Sequence, residues 1–334
     1  MQDNNFTIVR LILATLVVFG HFKVLPGLSS ANGIYGYADF AVDAFFVVSG
    51  FLVYGSFDNL PKVKGFYIKR FFRIYPLYFV IVIMQAIAMI AIIGNNVQFS
   101  DIVKYLVSNL SFMNFISPDI GGIFAGQNNK AINPSLWTLK IEVMFYLVVP
   151  VIWYLIKRMG SITMPIIYIA STIFALTAIS HGHETLAKQL PGQLRFFIMG
   201  IAFYIYRDKF VIPKPIAFIL AILLLIICTF RCDYPLTPIY PVLVGILVFI
   251  SVLRLPVVKL KMDISYGVYL IHAPLIQCAV LLGLFNDSFG FLCALLAIVY
   301  CLAIIVEKSI EIPMVVYGKK LAARFSNPLD MKAA

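Results

Sequence analysis

The chain has 334 residues, of which 62% are hydrophobic and only 12% charged, with a net charge of +11. Soluble domains carry about 25% charged residues, so a soluble one- or two-domain protein is excluded and a helical membrane protein is expected. The basic excess fits a positive-inside membrane protein. No basic stretch is interleaved with polar residues as in a nucleic-acid arm, so nucleic acid is not an expected partner.

Apolar runs bounded by Pro, Gly, Asn and Asp predict helices over 6–23, 37–57, 74–94, 135–156, 163–180, 191–206, 213–231, 236–253, 264–285 and 289–307. The expected class is all-α, a polytopic integral membrane protein with about ten transmembrane helices. One membrane domain covers 1–334, with an outer loop of about 95–134 and a short tail of about 308–334. The start of the chain lacks a basic n-region and its first apolar run is followed directly by further runs, so that run reads as a retained helix. Residues 100–117 carry Asp101, Lys104, Asn109 and Asn114, and are expected to form an interfacial or packed helix inside the outer loop.

Charge orients the array. With the N-terminus inside, Lys62 to Arg73, Lys157 and Arg158, Arg207 to Lys214, Arg254 to Lys261 and Lys308 to Lys332 supply basic inner segments. The outer segments hold Lys23, Lys104, Lys130, Lys188 and Arg231. This asymmetry puts both termini in the cytoplasm. Cys228, Cys232, Cys278, Cys293 and Cys301 lie in or beside apolar runs without a CxxC, and are expected to be apolar fillers. His181 and His183 lack further ligands in sequence, and no metal is expected.

Arg10, His21, Asp43, Lys140, Glu142, Arg195, His272 and Glu307 fall within apolar runs. An ionisable residue there is costly and marks a candidate site. Lys140, Arg195 and Glu307 are expected to be structural, reaching an interface. Arg10 and His21 are about three helical turns apart, so they share a face. Asp43 and Glu142 lie roughly 10 Å below the outer ends of their helices, at a depth similar to His21. A carboxylate could orient that imidazole for acid/base work. The same residue types serve a proton or ion path in a transporter, so the residues alone leave an enzyme, a transporter or flippase, and a scaffold open. Arg70 and Arg73 are expected to open the third helix at the inner face. Three residues apart, they are neighbours that could grip phosphate, or they are an ordinary positive-inside flank.

Together these residues resemble the acyltransferase-3 family of bacterial membrane O-acyltransferases. Arg10 and His21 have the spacing of its first-helix basic-residue and histidine signature. The stretch from Val42 and Asp43 through Ser49, Gly50, Phe51 and Leu52 is similar to its second-helix motif. Arg70-Phe71-Phe72-Arg73 looks like its Arg-x-x-Arg. Trp137, Glu142, Phe145 and Tyr146 match its Trp…Glu…Phe-Tyr segment, and Ser265-Tyr266 with Tyr269, Leu270 and His272 match its late segment. One departure is Lys140-Ile141-Glu142, where relatives often carry a small residue and then two acids. The resemblance to the stand-alone form implies an enzyme of the bacterial inner membrane. It implies acetyl-CoA (or another acyl-CoA) as cytoplasmic donor, a lipid-linked or surface glycan hydroxyl as acceptor, with lipopolysaccharide O-antigen in first place, and the bilayer as surroundings. It implies catalytic roles for His21, Glu142, Asp43 and Arg10, and donor contacts at Arg70, Arg73, Ser49 and His272.

Overall fold

The computed structural model describes residues 4–28, 33–94, 97–127, 129–210, 212–230 and 238–325. Cys232, Pro235, Arg231, Lys332 and the first residues of the helix expected at 236–253 lie outside them.

Among the described residues every regular element is helical. They are α1 (Phe6–Val24), α2 (Ala38–Asp58), α3 (Val63–Ile93), α4 (Phe99–Leu110), α5 (Leu136–Met159), α6 (Thr163–Ser180), α7 (Glu184–Ala187), α8 (Leu190–Tyr206), α9 (Lys214–Phe230), α10 (Tyr240–Leu253), α11 (Ser265–Leu281), α12 (Phe289–Val306) and α13 (Ile312–Arg324). Among the described residues five stretches are long and apolar enough to cross a membrane: Phe6–Val24, Gly33–Asp58, Val63–Ile92, Leu136–Ser180 and Phe289–Arg324. Shorter apolar helices cover Lys214–Cys228, Tyr240–Leu253 and Ser265–Leu281. Leu136–Ser180 is two helices, turned at Gly160, whose φ of 76° suits a residue without a Cβ. The chain is thus a multi-pass membrane protein.

Two expectations change. The third helix begins at Val63, not near 74, so Arg70 and Arg73 lie inside it and do not open it. Hydropathy registers where apolar residues begin. The helix itself continues through Lys64, Lys69, Arg70 and Arg73, whose long stems suit helix geometry and can carry their charge away from lipid. Likewise, helix does not stop near 307. A single wider π turn, Glu307–Glu311, leads into α13. It falls just before Pro313, which cannot complete a regular turn with the carbonyl four residues back.

The chain divides into two compact units. Unit 1 comprises Met1–Leu13, Asp39–Phe66 and Ile141–Lys261, and unit 2 comprises Ala14–Ala38, Tyr67–Lys140 and Met262–Ala334.

In unit 1, α2 and α8 touch backbone to backbone. A Cβ on Gly50 would lie 2.1 Å from the Phe197 carbonyl oxygen, and one on Gly200 would lie 2.0 Å from that of Val47. Small residues permit this approach, which is how helices associate where lipid removes the hydrophobic drive. Phe197 then packs against Phe46 of α2 (ring centroids 4.8 Å) and Phe145 of α5 (3.9 Å). One aromatic therefore sets the mutual position of three helices. At the far end of α2, Asp58 accepts from Trp153 Nε1 at 2.7 Å and pairs with Lys157 at 3.1 Å. Asn5, 3% exposed, ties the chain start to the end of α10 by donating to the Ser251, Leu255 and Pro256 carbonyls.

In unit 2, Gly267 of α11 packs on Ala303 of α12, and Thr15 bonds Tyr300 at 2.6 Å. Helix α4 has 12 residues, too short to cross a bilayer core of about 30 Å. It is packed by its polar residues: Tyr105 donates to Gln85, and Tyr78 donates to the Asn109 carbonyl. The following loop packs on α11. Pro274 has no N–H for the Leu270 carbonyl, and Asn133 Nδ2 donates to that oxygen at 2.9 Å instead. Gln277 Nε2 donates to the carbonyls of Asn129 and Ala131.

Candidate functional site

The expected site residues separate by unit. Unit 1 holds Arg10, Asp43, Ser49 and Glu142; unit 2 holds His21, Arg70, Arg73 and His272.

In unit 1, Gly50 lets α2 run against α8, and the Phe197 packing brings α5 alongside. Ser49, beside Gly50, and Glu142, one turn before Phe145 and Tyr146, thereby meet. Ser49 Oγ donates to Glu142 Oε1 at 3.2 Å, and Tyr146 Oη donates to the same oxygen at 2.6 Å. Two hydroxyl donors on one oxygen fix the carboxylate plane. They satisfy the acceptor capacity of that one oxygen. Tyr146 is a member of the sequence motif to which the motif itself assigns no role. Its signal was the i, i+4 spacing from Glu142, which places the two side chains on one helix face. Asp43 is half-buried, within electrostatic reach of Arg195. Arg195 is 2% exposed, so it does not reach an interface as expected, and it lies over the Phe196 ring at 5.2 Å. Glu307, in unit 2, is 5% exposed and is likewise covered. Arg10 is half-buried.

In unit 2, His21 Nδ1 and His272 Nε2 are 2.8 Å apart. His272 is 0% exposed and its Nδ1 lies 2.9 Å from the Val268 carbonyl oxygen, one turn back in α11. The two rings are 22° from parallel with centroids 5.0 Å apart. The structure therefore joins His272 directly to His21, where the sequence grouped it with donor contacts. Nearby, Tyr269 bonds Thr138 at 2.7 Å, and Tyr266 donates to the Ile74 carbonyl. Lys23, two residues after His21, pairs with Asp287 at 2.6 Å.

Arg73 is not an open cation. Its Nη1 meets Glu311 at 3.3 Å and its Nη2 meets Asp263 at 3.4 Å. The Glu311 side chain is 1% exposed. Both acids come from segments far along the chain, and the sequence offered no signal for this pairing. Arg70 is half-buried one turn earlier. Among the described residues no three His, Cys, Asp or Glu side chains are grouped to hold a metal ion.

The arrangement, in a chain of apolar helices, offers a partly buried imidazole with an ordered partner, an oriented carboxylate, and a paired guanidinium. These belong to a multi-pass membrane protein with polar chemistry inside its helices. A family model described as an acyltransferase domain matches residues 3–308, and the chain belongs to this acyltransferase-3 family. An O-acetyl transferase of Shigella phage Sf6 is 25% identical over 301 residues, covering 84% of this chain and 86% of the phage protein. Nodulation protein 10 of Rhizobium leguminosarum bv. viciae is 29% identical over 191 residues, covering 52% of this chain and 51% of that protein. The match thus spans about half the length of the nodulation protein. Acyltransferase MdmB of Streptomyces mycarofaciens is 31% identical over 118 residues, covering 35% of this chain and 29% of that protein. No solved structure matches the chain.

Proposed function

We propose that the protein is an O-acetyltransferase of the bacterial inner membrane. It moves acetyl from cytoplasmic acetyl-CoA to a hydroxyl of a surface polysaccharide sugar, with lipopolysaccharide O-antigen the first acceptor to test. The observation that carries the reading is the His21–His272 pair within a chain of this family. It supplies an ordered imidazole where apolar helices otherwise have no use for one. The phage relative's name and its near full-length match support O-acetyl transfer in particular. Ten membrane crossings with both termini in the cytoplasm follow from the hydropathy and the lysine and arginine asymmetry.

In this mechanism His21 accepts the proton of the sugar hydroxyl as its oxygen attacks the thioester carbon. The carbon–sulfur bond breaks, and the coenzyme A thiolate takes the proton back from His21. The products are the O-acetyl ester and coenzyme A. Glu142, with one oxygen held by Ser49 and Tyr146, keeps the other to orient a polar partner. Arg70 contacts donor phosphate, and Arg73 joins it by exchanging a carboxylate of Glu311 or Asp263 for a phosphate oxygen.

The test uses purified protein in lipid nanodiscs with radiolabelled acetyl-CoA and lipid-linked O-antigen. Label is expected in the glycan with wild type, and at least about 10²-fold slower with His21→Ala. Equal labelling by the two would overturn His21 as base. No labelling of any hydroxyl acceptor by folded wild-type protein would overturn the transferase reading and favour transport.

A further inference from the structure

We propose that His272 is the positioning residue of His21. It holds His21 as the tautomer with its proton on Nδ1 and its lone pair on Nε2. The inference rests on the reading of His21 as general base and specifies which nitrogen does the work.

His272 Nδ1 lies 2.9 Å from the Val268 carbonyl oxygen. A carbonyl has no hydrogen to give, so Nδ1 carries the proton and donates. His272 is 0% exposed, and the groups that meet its ring are backbone carbonyl and imidazole, not anions. An imidazolium there would be a buried, uncompensated charge, so the ring is neutral and Nε2 is bare. That bare nitrogen sits 2.8 Å from His21 Nδ1, so His21 Nδ1 must be the donor. A neutral imidazole has one N–H. His21 Nε2 is left as the basic atom.

The ring geometry agrees. Two imidazole radii of about 1.1 Å each, added to the 2.8 Å nitrogen separation, account for the 5.0 Å centroid spacing. The nitrogens therefore face each other along the line of centroids, and a 22° interplanar angle keeps each lone pair near the other ring's plane. This is an edge-to-edge hydrogen bond, not a face-to-face stack.

The chain of donors runs one way, from His21 to His272 to Val268, and cannot reverse because it ends on a carbonyl. In water a histidine side chain favours the opposite tautomer, with Nε2 protonated. The protein overrides that preference with a second ring, and it anchors the second ring's helix. The Asn133 bond to the carbonyl freed by Pro274, the Gln277 bonds to the loop and the Tyr269–Thr138 bond all hold α11 close to His272. When Nε2 takes the hydroxyl proton, the His21 Nδ1–H keeps its hydrogen bond to His272 Nε2. A neutral partner does not cancel the new charge as a carboxylate would, so His21 gives the proton up readily to the leaving thiolate.

The experiment reads the tautomer directly. Protein labelled with ¹⁵N-histidine, with His181 and His183 replaced by Asn, is placed in nanodiscs. Its imidazole ¹⁵N shifts are measured, since protonated and bare nitrogens resonate apart. In wild-type context His21 is expected with Nδ1 protonated and Nε2 bare. His272→Phe should move His21 to the other tautomer and lower acetyl transfer about 10²-fold, with the KM for acetyl-CoA unchanged. His272→Gln, whose side-chain oxygen can accept from Nδ1, should restore both the tautomer and most of the rate. If His272→Phe does not fold, His272→Gln against His272→Asn, whose shorter side chain falls short of His21, carries the same comparison. A protonated Nε2 on His21 in the parent protein, or an unchanged rate in folded His272→Phe, would overturn the proposal. The expected tautomer in a protein that transfers no acetyl group would uphold the positioning and overturn the base reading alone.

Discussion

The polar groups of the two units are held in place by different means. In unit 1 the Glu142 carboxylate is fixed by two rotatable hydroxyls, and the helices beneath it are fixed by backbone contact at Gly50 and Gly200. In unit 2 the His21 ring is fixed by a second ring whose own orientation ends on a backbone carbonyl. Unit 1 gets its precision from steric contact, unit 2 from hydrogen-bond direction. The difference teaches where each group is vulnerable: the seat of Glu142 is lost when the helices beneath it lose their packing, the seat of His21 when one hydrogen-bond partner is removed.

The largest expected effect breaks the packing side. Gly200→Val would put a Cβ 2.0 Å from the Val47 oxygen and 2.7 Å from the Phe51 nitrogen. Backbone cannot yield as a side chain does, so a loss of more than about 4 kcal/mol is expected. It should appear as aggregated or degraded protein on gel filtration. Next comes Arg73→Ala, which strands Glu311, 1% exposed, without its cation. Removing one partner of a buried pair costs about 3 kcal/mol or more, read as a lower melting temperature. The double change Arg73→Met with Glu311→Met should regain the stability. If it regains acetyl transfer as well, Arg73 holds the fold and not the donor. The smallest effect sharpens the comparison from the other side. Tyr146→Phe removes one of two donors to Glu142 and leaves the Phe145–Phe197 packing untouched. About tenfold slower transfer with an unchanged melting temperature is expected. An unchanged rate would remove the carboxylate's orientation from the mechanism.

Much of the fold is legible in the sequence, because a run of apolar residues long enough for a bilayer leaves the backbone one economical way to satisfy itself. The break at Gly160, the separate α5 and α6, and the packed character of α4 can all be read that way. The start of α3 cannot, because Lys69, Arg70 and Arg73 lower hydropathy without opposing helix. Within the site, Glu142 and Tyr146 share a helix face and their pairing is available to a reader of spacing. His21 and His272 are 251 positions apart, as are many pairs that never meet. Their contact depends on how α1 and α11 pack, and on the anchoring of Asn133 to a carbonyl that Pro274 leaves without a donor. The Arg73 pairing with Asp263 and Glu311 is hidden for the same reason. Local patterns show which residues are costly in a membrane, but partners are chosen by tertiary packing.

The most direct test is mass analysis of surface glycans from a strain lacking this protein, complemented with wild type or with His21→Ala at matched expression. The account predicts an acetyl increment on the glycan that is lost in the deletion, restored by wild type and not by His21→Ala. Glycans of identical acetylation in all three strains would contradict it.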